Sequence, residues 1–177
     1  MSDFPWLTLL ILVPLVGALV TALLPAGNGA LAKKVGLGMA AATLLPAVVV
    51  AANYSLGGGT QFTETHDWIS LFGAHYALGV DGLSLVMVLL TVVLVPLVML
   101  ASWHESDEGN PKSFFAWVLG LEAMSLAVFT ATDVFLFYVV FEATLIPAYF
   151  LISGFGREGR SRAAAKFLLY QLGGGLV

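Results

Sequence analysis

The chain alternates long apolar runs with short polar punctuation. Five long apolar stretches stand out, approximately Phe4–Leu24, Val35–Ala52, Leu83–Trp103, Phe114–Ala131 and Val134–Ser153. Each has the roughly 18 to 25 residues that a helix needs to cross a hydrocarbon core about 30 Å thick. A sixth begins near Ala163, and its roughly 15 residues make about 22 Å of helix, short of a full crossing. It closes on Gly173-Gly174-Gly175-Leu176-Val177 with no polar flank, so the polypeptide is expected to continue past that point. Lipid offers no partner to backbone polar groups, so spans must be helices or closed barrels. Continuous runs without two-residue alternation select helices. The pattern predicts an all-α polytopic membrane protein with five complete transmembrane helices and the start of a sixth.

Pro25 and Gly27 end the first helix, and Asn53 with Gly57-Gly58-Gly59 ends the second. The connection from 53 to 82 carries Gln61-Phe62-Thr63-Glu64-Thr65-His66-Asp67-Trp68-Ile69-Ser70-Leu71-Phe72. Its alternation is partial, which fits either a short hairpin or an interfacial segment. Trp6, Trp68 and Trp103 suit the aromatic belts at membrane surfaces.

Composition agrees with the pattern. Of 177 residues, 59% are hydrophobic and 10% charged, against roughly 25% charged in a soluble domain. The first apolar run is too long for a signal-peptide core and lacks a basic leader, so it reads as a retained helix. Absence of cysteine excludes disulfides, thiol nucleophiles and thiolate metal sites. No basic run suggests nucleic acid. There is no phosphate-binding loop between a strand and a helix, no metal-ligand spacing and no nucleophile elbow. Gly154-Phe155-Gly156 follows a membrane helix and reads as a turn. NADH, flavin and iron–sulfur clusters are therefore not expected on this chain.

Charge fixes an expected orientation. Lys33 and Lys34 fall between spans one and two, Lys112 between three and four, and Arg157, Arg160, Arg162 and Lys166 after span five. All seven basic residues thus lie in odd-numbered connections. By the positive-inside rule those connections face the cytoplasm and the amino terminus faces out.

Two carboxylates interrupt the oily interior. Glu142 lies eight residues from the outer end of span five, about 12 Å deep, and Glu122 lies about as deep from the opposite surface. The two-residue link between spans four and five makes them antiparallel neighbours, so both acids sit near mid-bilayer. A charge there costs about 2.5–3.5 kcal/mol on insertion scales. Such a group must be paired, hydrated or protonated, and one that alternates between states can load and release a proton. Pro147 withholds an amide from the carbonyl of Ala143, beside Glu142, and leaves it seeking another partner. Tyr138 and Tyr149 share the Glu142 face, and Ser125 follows Glu122 by one turn. The bland alternative is that each acid merely ties helices together by a hydrogen bond.

The remaining charges read as structural. Asp81 and Asp133 stand where helix N-caps belong. Glu105, Asp107 and Glu108 form a solvated loop with His104. His66 and His75 lack metal-ligand company. Lys166 either snorkels to the interface or tunes a buried acid, and it is a third candidate for proton handling.

Several stretches resemble one family. Asp133-Val134-Phe135-Leu136-Phe137-Tyr138 and Phe141-Glu142-Ala143-Thr144-Leu145-Ile146-Pro147-Ala148-Tyr149-Phe150-Leu151-Ile152 resemble helix 5 of the antiporter-like subunits of respiratory complex I, of the subunit M type equivalent to mitochondrial subunit 4. Val80-Asp81-Gly82-Leu83-Ser84-Leu85-Val86-Met87 resembles the start of that family's third helix, and Ala163-Ala164-Ala165-Lys166-Phe167-Leu168-Leu169-Tyr170 the start of its sixth. The resemblance covers residues 80–177 by motif, the opening part of a proton-translocation unit. Residues 1–79, two helices and the outer loop, match mainly in hydropathy.

The resemblance implies the first part of a fourteen-helix subunit in a bacterial plasma membrane. Such a subunit moves protons while peripheral and membrane partners oxidise NADH and reduce quinone. FMN and the iron–sulfur clusters are then expected on those partners. It also implies that Glu142 is the helix-5 proton-pathway glutamate and that Glu122 matches a helix-4 acid, with pathway lysines on later helices. A subunit of a multisubunit sodium/proton antiporter or of a membrane-bound hydrogenase shares these motifs. A purely structural membrane subunit is the alternative of a different class.

Overall fold

The computed structural model describes residues 4–25, 27, 29–69, 71, 73–104, 111–155 and 159–176. The elements run α1 (Trp6–Leu23), α2 (Gly29–Ala52), β1 (Gln61–Ile69), β2 (Ala74–Val80), α3 (Gly82–Ala101), α4 (Pro111–Thr130), α5 (Val134–Ala143), α6 (Leu145–Phe155) and α7 (Arg160–Leu176). Five stretches are long and apolar enough to span a membrane: α1, α2, α3, α4 and the near-continuous α5–α6 segment. These are the five runs read from the sequence.

The helix α4 is the hub. It packs against α1, α2, α3, α5 and α6, and its buried positions Phe115, Leu119, Glu122, Leu126 and Thr130 recur every three to four residues. Small residues let neighbours close in: a β-carbon at Gly36 of α2 would stand 2.9 Å from the Phe115 ring, so only glycine permits that crossing. By contrast α3 buries Val88, Val92 and Met99 and exposes Leu83, Val86, Leu90, Val93, Leu94 and Leu97. That exposed stripe suits lipid or a protein neighbour rather than water.

The second helix starts at Gly29, six residues earlier than its apolar run. Lys33 and Lys34 therefore ride in the first turns of α2, not in a connection. Lys33 is only 5% exposed, and its amine lies 5.4 Å from the centre of the Trp103 ring. A cation over an indole face, carried on an apolar stem, is compatible with the helix end. Lys112 likewise sits inside α4 and donates to the carbonyl of Leu24 at 3.3 Å, beside the end of α1. Trp103 itself meets Phe115 edge-on at 5.9 Å, and Trp6 packs on Phe4 at 4.6 Å. The side chain of Trp68, Arg157 and the acids Glu105, Asp107 and Glu108 lie outside the described residues.

At the other end, the connection left open by the sequence is an antiparallel hairpin pairing Gln61 with Val80 and His66 with Tyr76. The register slips between Gln61 and Glu64, where Phe62 takes φ 56°, a strained value for a bulky residue. This hairpin is bolted to the bundle at three places. Glu64 accepts from the amides of Leu7 and Thr8 at 3.0 and 3.1 Å and from the Thr8 hydroxyl at 2.7 Å. It thus caps α1, whose own flank, Pro5, supplies no side-chain cap. The amide of Thr132 donates to the carbonyl of Ala77 at 2.9 Å. Asp133 accepts from Leu136 at 3.0 Å, capping α5, and from the amide of His75 at 3.2 Å. Asp81 caps α3 through the Ser84 amide at 2.8 Å. Both N-caps are those expected.

The Leu136 amide, with smaller help from His75, holds the Asp133 carboxyl below the usual aspartate range. A depressed folded value means its contribution is present above the unfolded pKa, about 3.9, and is lost as pH falls through the folded one. Amide-exchange protection at His75 and Leu136 is expected to fall on acidification below about pH 4. Asp133→Asn, which keeps an acceptor without titrating, is expected to flatten that dependence. An unchanged profile in the asparagine variant would contradict the assignment.

Candidate functional site

Glu122 stands on the most buried face of α4 and is 1% exposed. Neither of its carboxylate oxygens has a hydrogen-bond partner among the described residues. Folded proteins pair nearly all their buried polar atoms, so an orphaned carboxylate in the hub helix is a departure that calls for a chemical reason.

Glu142 closes α5. The helix breaks at Thr144 and resumes as α6, three residues before Pro147, where the missing amide leaves a gap in the hydrogen-bond ladder. The Thr144 hydroxyl turns back to the carbonyl of Phe141 at 2.5 Å. Both carboxylate oxygens of Glu142 are buried without a hydrogen-bond partner among the described residues. They lie hard against the backbone of Gly175 in α7: a β-carbon there would overlap the carboxylate. Glycine is what lets α7 approach so closely.

The three predicted residues are not joined by direct bonds. Glu122 and Glu142 make no hydrogen bond to one another, and neither Tyr138 nor Tyr149 bonds to Glu142. Tyr149 instead packs edge-on against Phe150 at 5.4 Å. Lys166 is exposed near the start of α7, nine residues before Gly175, hence about 14 Å from it along the helix.

What the fold does bring together is a cavity of about 340 Å³ between α4, the α5–α6 break and α7. Leu121, Ser125, Phe141, Thr144, Phe167 and Gln171 are among its walls. Ser125 and Leu121 flank Glu122 on α4, and Phe141 and Thr144 flank Glu142. Gln171 was missed by the sequence reading. The available signal was an uncharged polar residue inside the apolar stretch from Phe167 to Leu172.

Residues 46–130 match the family model for the amino terminus of NADH-ubiquinone oxidoreductase chain 4, and residues 131–177 match that of the NADH:quinone oxidoreductase/Mrp antiporter transmembrane family. The whole chain aligns at 45% identity with NADH-quinone oxidoreductase subunit M of Mycobacterium tuberculosis. The chain belongs to the subunit M/chain 4 family. A chain 4 of the NAD(P)H-quinone oxidoreductase of Synechococcus is 37% identical over 99% of the chain. The chain covers 37% and 32% of these two relatives, about a third of their length. The fold overlays a chain of respiratory complex I from Thermus thermophilus with bound NADH, at TM-score 0.80 and 28% identity. That match covers 96% of this chain and 33% of that one. The Mrp complex of Dietzia shares the fold at TM-score 0.78 and 22% identity, over 96% of this chain and 18% of that one.

The two family-model matches meet between Thr130 and Ala131. That is the link between α4 and α5, where Ala131 bridges Leu78 of the hairpin. The family resemblance read from Asp81, Glu142 and their neighbours is the family shown by the comparisons.

Proposed function

We propose that this chain contributes to proton translocation as a membrane subunit of an NADH:quinone oxidoreductase. Glu142 is its principal proton-carrying group and Glu122 an auxiliary one. The observation that carries the reading is the pair of buried mid-span carboxylates without hydrogen-bond partners among the described residues. Ionising such a group in the bilayer is costly, and a fixed structural bond would have supplied a partner. Lys166, about 14 Å along α7 from the glycine that Glu142 touches, has the lesser role of a cation at the basic end of α7. NADH, FMN, iron–sulfur clusters and quinone belong to partner subunits on this reading. The test is proton pumping by an assembled complex carrying Glu142→Ala. Undiminished pumping overturns it.

The fold shared with the Mrp complex supports a second reading, a subunit of a multisubunit sodium/proton antiporter. Copurification decides between them. Peripheral subunits bearing flavin and iron–sulfur clusters favour the oxidoreductase, and membrane chains alone favour the antiporter.

We further propose a plasma-membrane orientation with the hairpin and the amino terminus outside. Lys33, Lys112, Arg162 and Lys166 lie at the opposite end from the hairpin, which is the distribution that retains an end in the cytoplasm. Thr63 is exposed on the hairpin, and the chain has no native cysteine. A Thr63→Cys variant is expected to react with a membrane-impermeant maleimide in intact cells. Labelling only after permeabilisation would reverse the orientation.

A further inference from the structure

A second and larger cavity, of about 710 Å³, lies at the hairpin end of the bundle, between the start of α1, the end of α2 and β1. It shares no lining residue with the cavity beside the α5–α6 break. Phe4 and Thr63, both exposed, are among its walls, so it opens to the surface. Trp6, another wall residue, stands where the aromatic belt of a span meets lipid headgroups. The walls divide by chemistry. Phe4, Trp6 and Phe62 supply aromatic rings, and Glu64 supplies a carboxylate. Among the described residues that border the cavity none is a lysine or arginine, and the titratable ones are Glu64 and His66.

Capping α1 does not exhaust Glu64. A carboxylate has about four acceptor positions. Among the described residues the amides of Leu7 and Thr8 fill those of Oε2, and the Thr8 hydroxyl takes one on Oε1, which leaves a lone pair on Oε1. The positive end of α1 offsets part of the acid's charge, so the carboxylate alone would hold a cation weakly. The rings supply the rest. The Phe4 and Trp6 centres are 4.6 Å apart with planes tilted by 52°, so one cation can lie within about 6 Å of both. An anion would find no counter-charge here and would be repelled by Glu64.

We propose that this cavity binds an organic ammonium group, of the kind an aminophospholipid carries in its headgroup, held by the free lone pair of Glu64 and the ring faces of Trp6 and Phe4. An ammonium suits both walls at once, since it donates hydrogen bonds to the acid and is drawn to the aromatic quadrupoles. The proposal does not depend on the proton role of Glu142 or Glu122.

The test uses the assembled complex with the full-length subunit carrying Thr63→Cys, a wall position. The chain has no native cysteine, so maleimide alkylation read on this subunit's own gel band reports the cavity. The delipidated complex is titrated with dihexanoyl phosphatidylethanolamine, with dihexanoyl phosphatidylglycerol, which has the same tails and no ammonium, and with free ethanolamine. Phosphatidylethanolamine is expected to slow alkylation about fivefold at saturation, and phosphatidylglycerol to leave it unchanged. Protection by free ethanolamine at similar concentrations would assign the site to soluble amines, and protection by the lipid alone to a headgroup; either outcome upholds an ammonium site. Trp6→Leu, which keeps apolar bulk and loses the ring face, is expected to raise the half-protecting lipid concentration about fivefold, and Trp6→Phe to stay near the parent. Should Trp6→Leu fail to assemble, Phe4→Leu, at a side chain 52% exposed, carries the same expectation. The proposal is overturned if phosphatidylethanolamine gives no protection, if phosphatidylglycerol protects equally, or if the leucine variant titrates as the parent does.

Discussion

Glu142→Gln is expected to bring proton translocation down to background in a complex that still assembles. Glutamine keeps the shape of glutamate and can hydrogen-bond, but it cannot take up and release a proton. Positioned proton-transfer groups contribute about 10²–10⁴-fold, so their loss is not a matter of degree. Assembly is expected to survive, because the carboxylate oxygens make no protein hydrogen bond among the described residues whose loss would loosen α5. Glu142→Asp retains the titrating group but retracts it by one methylene from Gly175, and an intermediate rate is expected. The measurement is proton pumping in vesicles normalised to the assembled complex. Full pumping by the glutamine variant would favour the structural reading, in which the acid only bonds helices together.

Glu122→Met is expected to make the protein more stable and to impair its activity. Methionine approximates the length of glutamate, so the swap leaves no large void in the hub of the bundle. It also removes a buried polar group that has no hydrogen-bond partner among the described residues, a burial that costs about 1–3 kcal/mol in protein mutational data. A gain of that order, read as a higher thermal midpoint of the detergent-solubilised protein, is therefore predicted. A natural chain that forgoes such a gain retains the acid for something other than stability. A lower midpoint would show that the carboxylate makes a bond the fold depends on, and would return Glu122 to a structural role.

Much of this architecture can be read without coordinates because lipid simplifies the code. Runs such as Leu83 to Leu100 can only be helices, and Asp81 and Asp133 cap where their positions announce. The break at Thr144 follows from Pro147. The start of α2 was misjudged because charge was taken as a boundary. Lys33 defeats that rule by laying its amine over Trp103, a residue 70 positions away in sequence. Tertiary bonds were equally hidden. Glu64 looks like any loop acid, and nothing local reveals that it closes a helix 57 residues earlier. Of the candidate site, the acids were legible because ionisable groups are rare in apolar runs. The cavity was not, since it exists only where α4, the broken helix and α7 diverge, and with it Gln171 passed unnoticed.

The hairpin's three attachments carry a lesson for biosynthesis. The first membrane helix leaves the ribosome with its leading amides unclaimed, and the carboxylate that will claim them is translated much later. The hairpin in turn cannot complete its docking until Thr132 and Asp133 have followed. Insertion of the early segments and consolidation of their ends are therefore separate events, and a chain stalled before residue 132 would leave the hairpin without two of its three moorings.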